Sequence, residues 1–312
     1  MKLISIVTPC FNEVENVHEI YLEVKKILKK FSQKYNYEHI FIDNDSNDGT
    51  IKVLKDLAKN DKNIKLIINS RNFGHIRSPF YGLINAKGDA VILLNCDFQD
   101  PPQLILEFIK EWEKNYEVIV GIKNKSLENF FMFNIRKFYY YLIKKFSETE
   151  QIPNFTGFAL YDKSFIEKLK TLNDPYPYIR GLINEFGCTH KKIFFEQPKR
   201  IKGKSKNNFL TLLDMALLGF INHTKIFLRL ATLTGFLLSF LSFFIAIAYL
   251  IAKLIYWNNF NAGISPILIG LFFFSSVQLL FIGIIGEYIG AIHTHVKNKP
   301  IVIEKERINF DN

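Results

Sequence analysis

Two long stretches near the C-terminus carry no charge, and few folds can accommodate them. Leu230–Ala252 is 23 residues without Asp, Glu, Lys or Arg, and Asn258–Gly286 is 29, strongly apolar from Ala262 onward. At about 1.5 Å of rise per helical residue, each can cross a hydrocarbon core of roughly 30 Å. The competing reading is a pair of core helices in a soluble protein. Lys225 and Arg229 precede the first stretch, His293, His295, Lys297 and Lys299 follow the second, and only Lys253 lies between. Basic residues stay on the cytoplasmic side, so the pattern predicts a transmembrane hairpin within 226–292, with spans near 230–252 and 262–286. Both termini, including a tail over 293–312, are then cytoplasmic, and the chain is a multi-pass protein of the inner membrane. Two spans do not build an obvious transport path, so they are expected to anchor the protein or to oligomerise it. Gly263, Gly270, Ser275, Ser276, Gly283, Gly286 and Gly290 would let such a hairpin pack against a second copy.

Residues 1–225 read as one cytoplasmic α/β domain. Short apolar runs (Leu3–Thr8, His39–Ile42, Ile64–Asn69, Ala90–Asn95) alternate with segments of helical periodicity (Glu15–Phe31, Thr50–Lys59, Ile76–Ala86). Runs apolar on both faces imply a mostly parallel central sheet covered on both sides. Ligands bind such sheets at the carboxyl ends of the strands. Four polar clusters fall there: Pro9–Glu13, Asp43–Thr50, Arg71–His75 and Asn95–Asp100. Beyond them, Pro101-Pro102 opens a helix to about Lys114, and Tyr116–Ile122 reads as a strand. Leu127–Phe146 mixes aromatic and basic residues, which suits either a core helix with solvated lysines or a helix lying on the bilayer surface.

The chain has a formal net charge of +10. That surplus suits phosphorylated substrates or anionic headgroups. A nucleic-acid role has no motif behind it, and no basic low-complexity tail is present. Cys10, Cys96 and Cys188 are odd in number and widely spaced, which argues for reduced, buried thiols rather than a disulfide scaffold or zinc site. The N-terminal apolar run is too short for a signal peptide.

The most informative string is Asn95-Cys96-Asp97-Phe98-Gln99-Asp100-Pro101-Pro102. A carboxylate at a strand end, with Gln and Asp on the next turn, can present oxygens to Mg²⁺ or Mn²⁺; a plain acidic turn capping a helix is the alternative. The string resembles the DxDxQDPPE motif of family 2 glycosyltransferases, in the branch of dolichyl-phosphate mannose synthase and bactoprenol glucosyltransferases. The other loops match in order. Pro9-Cys10-Phe11-Asn12-Glu13 resembles P-x-(Y/F)-N-E, Asp43–Thr50 resembles DDgSxDgT, and Ser70–His75 resembles SRNfGh. Gly286–Gly290 and Val296–Pro300 resemble the end of the branch's second span.

The resemblance implies a GT-A fold and a divalent cation, Mg²⁺ or Mn²⁺. It also implies a nucleotide-sugar donor, probed first as a UDP-sugar. Pro9, Asn12, Glu13, Asp43, Asn44 and Ser46 would bind the nucleotide, together with Arg71, Cys96 and Lys204. Asp97, Asn95 and Gln99 would hold the metal. Asp97, Gln99, Asp100, Arg71, Arg200 and Lys206 would act on the departing diphosphate or the acceptor. Arg200–Lys206 resembles the family's R-x-x-G-x-S-K loop, where a lipid phosphate would arrive, and Tyr178–Leu182 resembles f-x-(R/K)-G-L, which would turn Arg180 to the site. Two positions depart from the pattern: Asn95 replaces the first acidic residue of DxD, and Gly157 and Ala159 stand where the branch carries an acidic residue and an arginine. The implied activity is inverting transfer of a sugar to a polyprenyl phosphate, such as undecaprenyl phosphate, at the cytoplasmic membrane face. A lipid-linked glycan hydroxyl is the alternative acceptor, with Glu185 as a candidate base. An inactive membrane-anchored nucleotide-sugar sensor is the third reading.

Overall fold

The computed structural model describes residues 1–124, 152–172, 174, 177–198, 226–255, 264–297 and 299–310. The segment 127–146 and the basic residues Arg200, Lys204 and Lys206 lie outside the described residues. One eight-stranded sheet runs in the order β7-β5-β6-β4-β1-β2-β3-β8. Its centre is parallel: β1 (Lys2–Cys10) pairs with β2 (Tyr35–Asp43) and β4 (Ala90–Leu93), and β2 pairs with β3 (Ile64–Asn69). β6 (Phe155–Asp162) runs antiparallel between β4 and β5 (Val118–Lys123), and β7 (His190–Phe195) is parallel to β5.

The strands are apolar on both faces because both faces are covered. Ile4, Ile6, Phe41, Leu66 and Ile92 point into one core, against α1 (Val17–Lys29), α2 (Thr50–Asn60) and α4 (Ile105–Trp112). Val7, Ile40, Ile42 and Ile67 point into the other, against α3 (Gly74–Asn85), α5 (Lys163–Lys170) and α6 (Ile179–Glu185). Helix α1 buries Val17, Ile20, Tyr21, Val24, Ile27 and Leu28, the stripe its periodicity predicts. Burial of one such aliphatic side chain contributes roughly 1.5–3 kcal/mol. Helix α3 approaches the sheet at Gly82, where a Cβ would fall 2.6 Å from Val7 Cγ1, so only glycine lets the helix lie this close.

The apolar helices α7 (Ile226–Ile255) and α8 (Ile264–Val296) form over the two apolar runs, and α8 continues past Gly286 because nothing from Glu287 to Val296 breaks a helix. Both are long and apolar enough to cross a membrane, and no residue of their most apolar windows, Leu228–Ile245 and Phe273–Val296, is buried. The residues beyond them are not a free tail. Glu304–Ile308 forms β8, antiparallel on the outer edge of β3. Ser70 N donates to Ile303 O at 2.9 Å, and Asn309 Nδ2 donates to the carbonyls of Ala58 and Ile64 at 2.6 and 2.8 Å. Val302 is buried behind the new edge.

His39, on β2, supplies a pH test of this core. Its ring is fully buried, stacks on Phe41 with centroids 4.0 Å apart and shares a 2.9 Å hydrogen bond with Thr8 Oγ1. Burial lowers its pKa from 6.5 to about 3. The unfolded chain therefore binds a proton between those values that the native state refuses, and stability falls as pH drops through that window. His39→Gln, which cannot titrate, is expected to lose this contribution: the wild-type advantage should shrink by about 1.4 kcal/mol per pH unit, measured by thermal or denaturant unfolding of the full-length protein from pH 7 down to pH 4.

Candidate active site

The carboxyl ends of β1, β2, β3 and β4 gather the four polar clusters on one edge. β1 ends at Cys10 and passes into Phe11-Asn12-Glu13, with Asn12 in a left-handed conformation at φ 56°. β2 ends at Asp43, and its loop turns at Asp45 (φ 65°) and Gly49 (φ 99°) before α2. The first two loops interlock. Asn12 N donates to Ser46 Oγ at 2.8 Å, Asn47 N to Asn12 Oδ1 at 2.9 Å, and Glu13 N to Thr50 Oγ1 at 2.9 Å. Asp43 is fully buried and accepts from Ser46 N at 2.9 Å and Ser46 Oγ at 2.6 Å. Burial raises its pKa, and the Ser46 hydrogen bonds oppose that shift.

The Asn44 side chain, expected at the nucleotide, is engaged within the protein. Its Oδ1 accepts from Asn69 Nδ2 at 3.0 Å and Phe73 N at 2.9 Å. Its Nδ2 donates to Asn72 Oδ1 at 2.8 Å and Gly74 O at 3.3 Å. A carboxamide has two donor hydrogens and two acceptor lone pairs, so all four are used. Asn44 is a positioning residue that ties the ends of β2 and β3 to the Ser70–Gly74 turn. Asn72, next to Arg71 in that turn, is an equal part of the lock. Arg71 itself is exposed at the tip, its guanidinium 4.2 Å from the Phe73 ring centroid.

Cys96 and Asp100 are likewise buried, at 3% and 1% exposure. The Cys96 thiol lies against Cys10, whose own thiol is pushed well up by burial and then by that neighbour. Asp100 accepts from Asn95 Nδ2 at 2.7 Å and Asn95 N at 3.3 Å. Burial, then the Asp97 charge, raises Asp100 to about pH 7. This explains the amide at 95: it donates to a buried carboxyl, whereas a carboxylate there would repel it. Asp97 and Gln99 are half-exposed beside this pair, and Asp97 Oδ1 accepts from Gln99 N at 3.1 Å.

Among the described residues no three His, Cys, Asp or Glu side chains cluster as a metal site. Asp97 with the amide oxygens of Asn95 and Gln99 nevertheless fits a hard cation that takes its remaining oxygens from a diphosphate and water. Asn95 spends its Nδ2 on Asp100, so its Oδ1 is the atom that such a cation would meet. Pro9 and Glu13 stand half-exposed at the same edge, and Glu13 Oε2 accepts from Asn16 Nδ2 at 2.6 Å.

Sheet, edge and loops together define a GT-A glycosyltransferase. The chain belongs to the glycosyl transferase family 2, whose model matches residues 5–170. It is 32% identical over 310 residues to the Bacillus subtilis protein described as uncharacterized glycosyltransferase YkcC, covering 99% of this chain and 95% of that one. It is 30% identical over 304 residues to the SfII prophage-derived bactoprenol glucosyl transferase of Shigella flexneri, covering 97% of each. A crystal structure of mannosyl-3-phosphoglycerate synthase from Rubrobacter xylanophilus aligns over 69% of this chain and 71% of its own, at 14% identity and a TM-score of 0.49.

The Asn44 lock is testable by an isosteric change. Asn44→Asp removes both donors and buries a carboxylate next to Asp43, leaving Asn72 Oδ1 and Gly74 O without their donor. The expected cost is about 2–4 kcal/mol of stability, read by denaturant unfolding, together with weaker binding of the nucleotide sugar.

Proposed function

We propose that this glycosyltransferase moves a sugar from a UDP-sugar to a polyprenyl phosphate at the cytoplasmic face of the membrane, with α7 and α8 crossing as a hairpin. The observation that carries the reading is the extent of the match to the bactoprenol glucosyl transferase, which runs through the catalytic loops and both apolar helices alike. Helices this apolar, exposed along their lengths, are unfavourable in water and favourable in lipid. The domain boundaries then follow: a cytoplasmic catalytic domain over 1–225, the hairpin, and a C-terminal segment that returns to the catalytic sheet.

In this mechanism Asp43, held in place by Ser46, receives the nucleotide base or ribose beside Pro9 and Glu13. Arg71 pairs with diphosphate or sugar oxygens. Asp97, with Asn95 and Gln99, would hold the divalent cation, which supplies positive charge opposite the departing diphosphate. The acceptor phosphate is already anionic at neutral pH, so its oxygen attacks the anomeric carbon without a general base. The new carbon–oxygen bond forms as the bond to the donor phosphate breaks, UDP leaves with that electron pair, and the anomeric configuration inverts. This accounts for a site that works with glycine at 157. Arg200, Lys204 and Lys206 would meet the lipid phosphate or the donor diphosphate from the basic segment ahead of α7. The hairpin presents the acceptor at fixed height, a positional gain rather than a chemical one.

The test is a transfer assay. Membranes bearing the protein are given UDP- and GDP-sugars, Mg²⁺ or Mn²⁺, and undecaprenyl phosphate. Label should enter the organic phase from one UDP-sugar, and Asp97→Asn should lower the rate by at least about 100-fold. Label appearing only in a glycan fraction would instead identify a hydroxyl acceptor, with Glu185 the first residue to test as base.

A further inference from the structure

Arg180 is the one cationic side chain that α6 brings to the start of β6, and the reaction outlined above leaves it without a role. β6 is antiparallel to β4, with Leu93 opposite Ala159, so Thr156 and Gly157 lie beside the Asn95–Asp97 loop. Arg180 Nη2 donates to Thr156 O at 3.0 Å, and Tyr161 Oη donates to Gly157 O at 3.0 Å. Both carbonyls at this bend, where Gly157 has φ 107°, are therefore fixed. The bond to Thr156 uses one of the five N–H groups of the guanidinium, which is half-buried with its carbon 5.8 Å from the Tyr178 ring centroid. Beside it, Thr156 Oγ1 is buried and finds no partner among the described residues. The Arg180 charge also reaches the Ser70–His75 turn, where, after partial desolvation, it helps lower the pKa of His75.

The segment just ahead of α6 touches the second apolar helix. His295 Nε2, in the last turn of α8, lies 3.7 Å from Asp174 Oδ1, just ahead of α6. The segment leading into α6 thus reaches the end of the second apolar helix, while Arg180 in α6 reaches the start of β6.

We infer that Arg180, with the Thr156 hydroxyl, binds the phosphate of the lipid acceptor. The ligand is a phosphomonoester dianion; a guanidinium offers it paired N–H donors, and Thr156 Oγ1 offers a third. The donor diphosphate shares this chemistry, and the kinetic arms below separate the two. The assignment rests on the polyprenyl-phosphate reading.

The experiment uses the full-length protein in membranes, with undecaprenyl phosphate and the UDP-sugar varied in turn at saturating co-substrate. Arg180→Gln keeps a donor for Thr156 O and removes the charge; Arg180→Lys keeps the charge and loses the fork. Arg180→Gln should raise KM for undecaprenyl phosphate about 10- to 100-fold, with KM for the UDP-sugar within about twofold and Tm unchanged. Arg180→Lys should fall between the two. A rise in the donor KM alone, or a folded Arg180→Gln with both values unchanged, overturns the assignment. If Arg180→Gln loses Tm, Arg180→Lys decides by the same split. Wild-type protein that labels no polyprenyl phosphate overturns the acceptor reading and this assignment with it, whereas wild-type transfer with an unaffected variant overturns the assignment alone.

Discussion

The four hydrogen bonds of Asn44 are the constraint on which the active edge depends. Parallel strands deliver their loops to one side of the sheet, but they do not shape those loops. Asn44 does so by joining the end of β2 to Asn69 on β3 and to the Phe73 and Gly74 backbone. Its cost is buried polarity, offset only while every donor and acceptor is filled. Asp43 sits one residue before it, held by Ser46, and Ser46 in turn receives the Asn12 amide from the first loop. Three of the four loops therefore form one hydrogen-bonded unit. Positive φ at Asn12 and Asp45 is the backbone strain this unit holds, whereas Gly49 and Gly74 adopt it freely.

The fourth loop is organised by charge. Asp100 is buried behind Asp97, and the amide at 95 lets a carboxyl sit there without a second acidic neighbour in contact. Asp97 is left as the half-exposed carboxylate of this loop, suited to a cation shared with a diphosphate. The departure from DxD is thus compatible with cation binding, although it lowers the negative charge of the site by one.

Much of this was legible in the sequence. The central strands, α1 to α4 and the two apolar helices announce themselves by local periodicity, and the four loops by their place after β-branched runs. What was not legible depends on contacts distant in the chain. Asn44, Cys96 and Asp100 belong to motifs associated with ligands, yet their side chains are spent inside the protein, which no spacing reveals. β8 was read as tail because Glu304–Ile308 is charged and lacks an apolar face; it pairs through its backbone on the exposed edge of β3. The second apolar run ends at Glu287, where one charge interrupts the apolar residues but not the helix, which continues to Val296. The Arg180–Thr156 contact joins α6 to β6 across 24 positions, and the motif around Arg180 does not name Thr156 as its partner.

β8 also links the two halves of the protein. Few residues separate Val296, at the end of α8, from Ile303, whose carbonyl receives the Ser70 amide at the mouth of the Arg71 turn. The exit of the second apolar helix is therefore tied to the donor loops, which suits an enzyme whose acceptor is held in the bilayer. The central claim is displacement at the anomeric carbon by a lipid phosphate. It is tested most directly by identifying both products of one turnover. Mass spectrometry of the organic phase should show a glycosyl monophosphate lipid, with UDP released in equal amount. A diphosphate-linked lipid with UMP released, or free sugar with UDP and no lipid product, would contradict it.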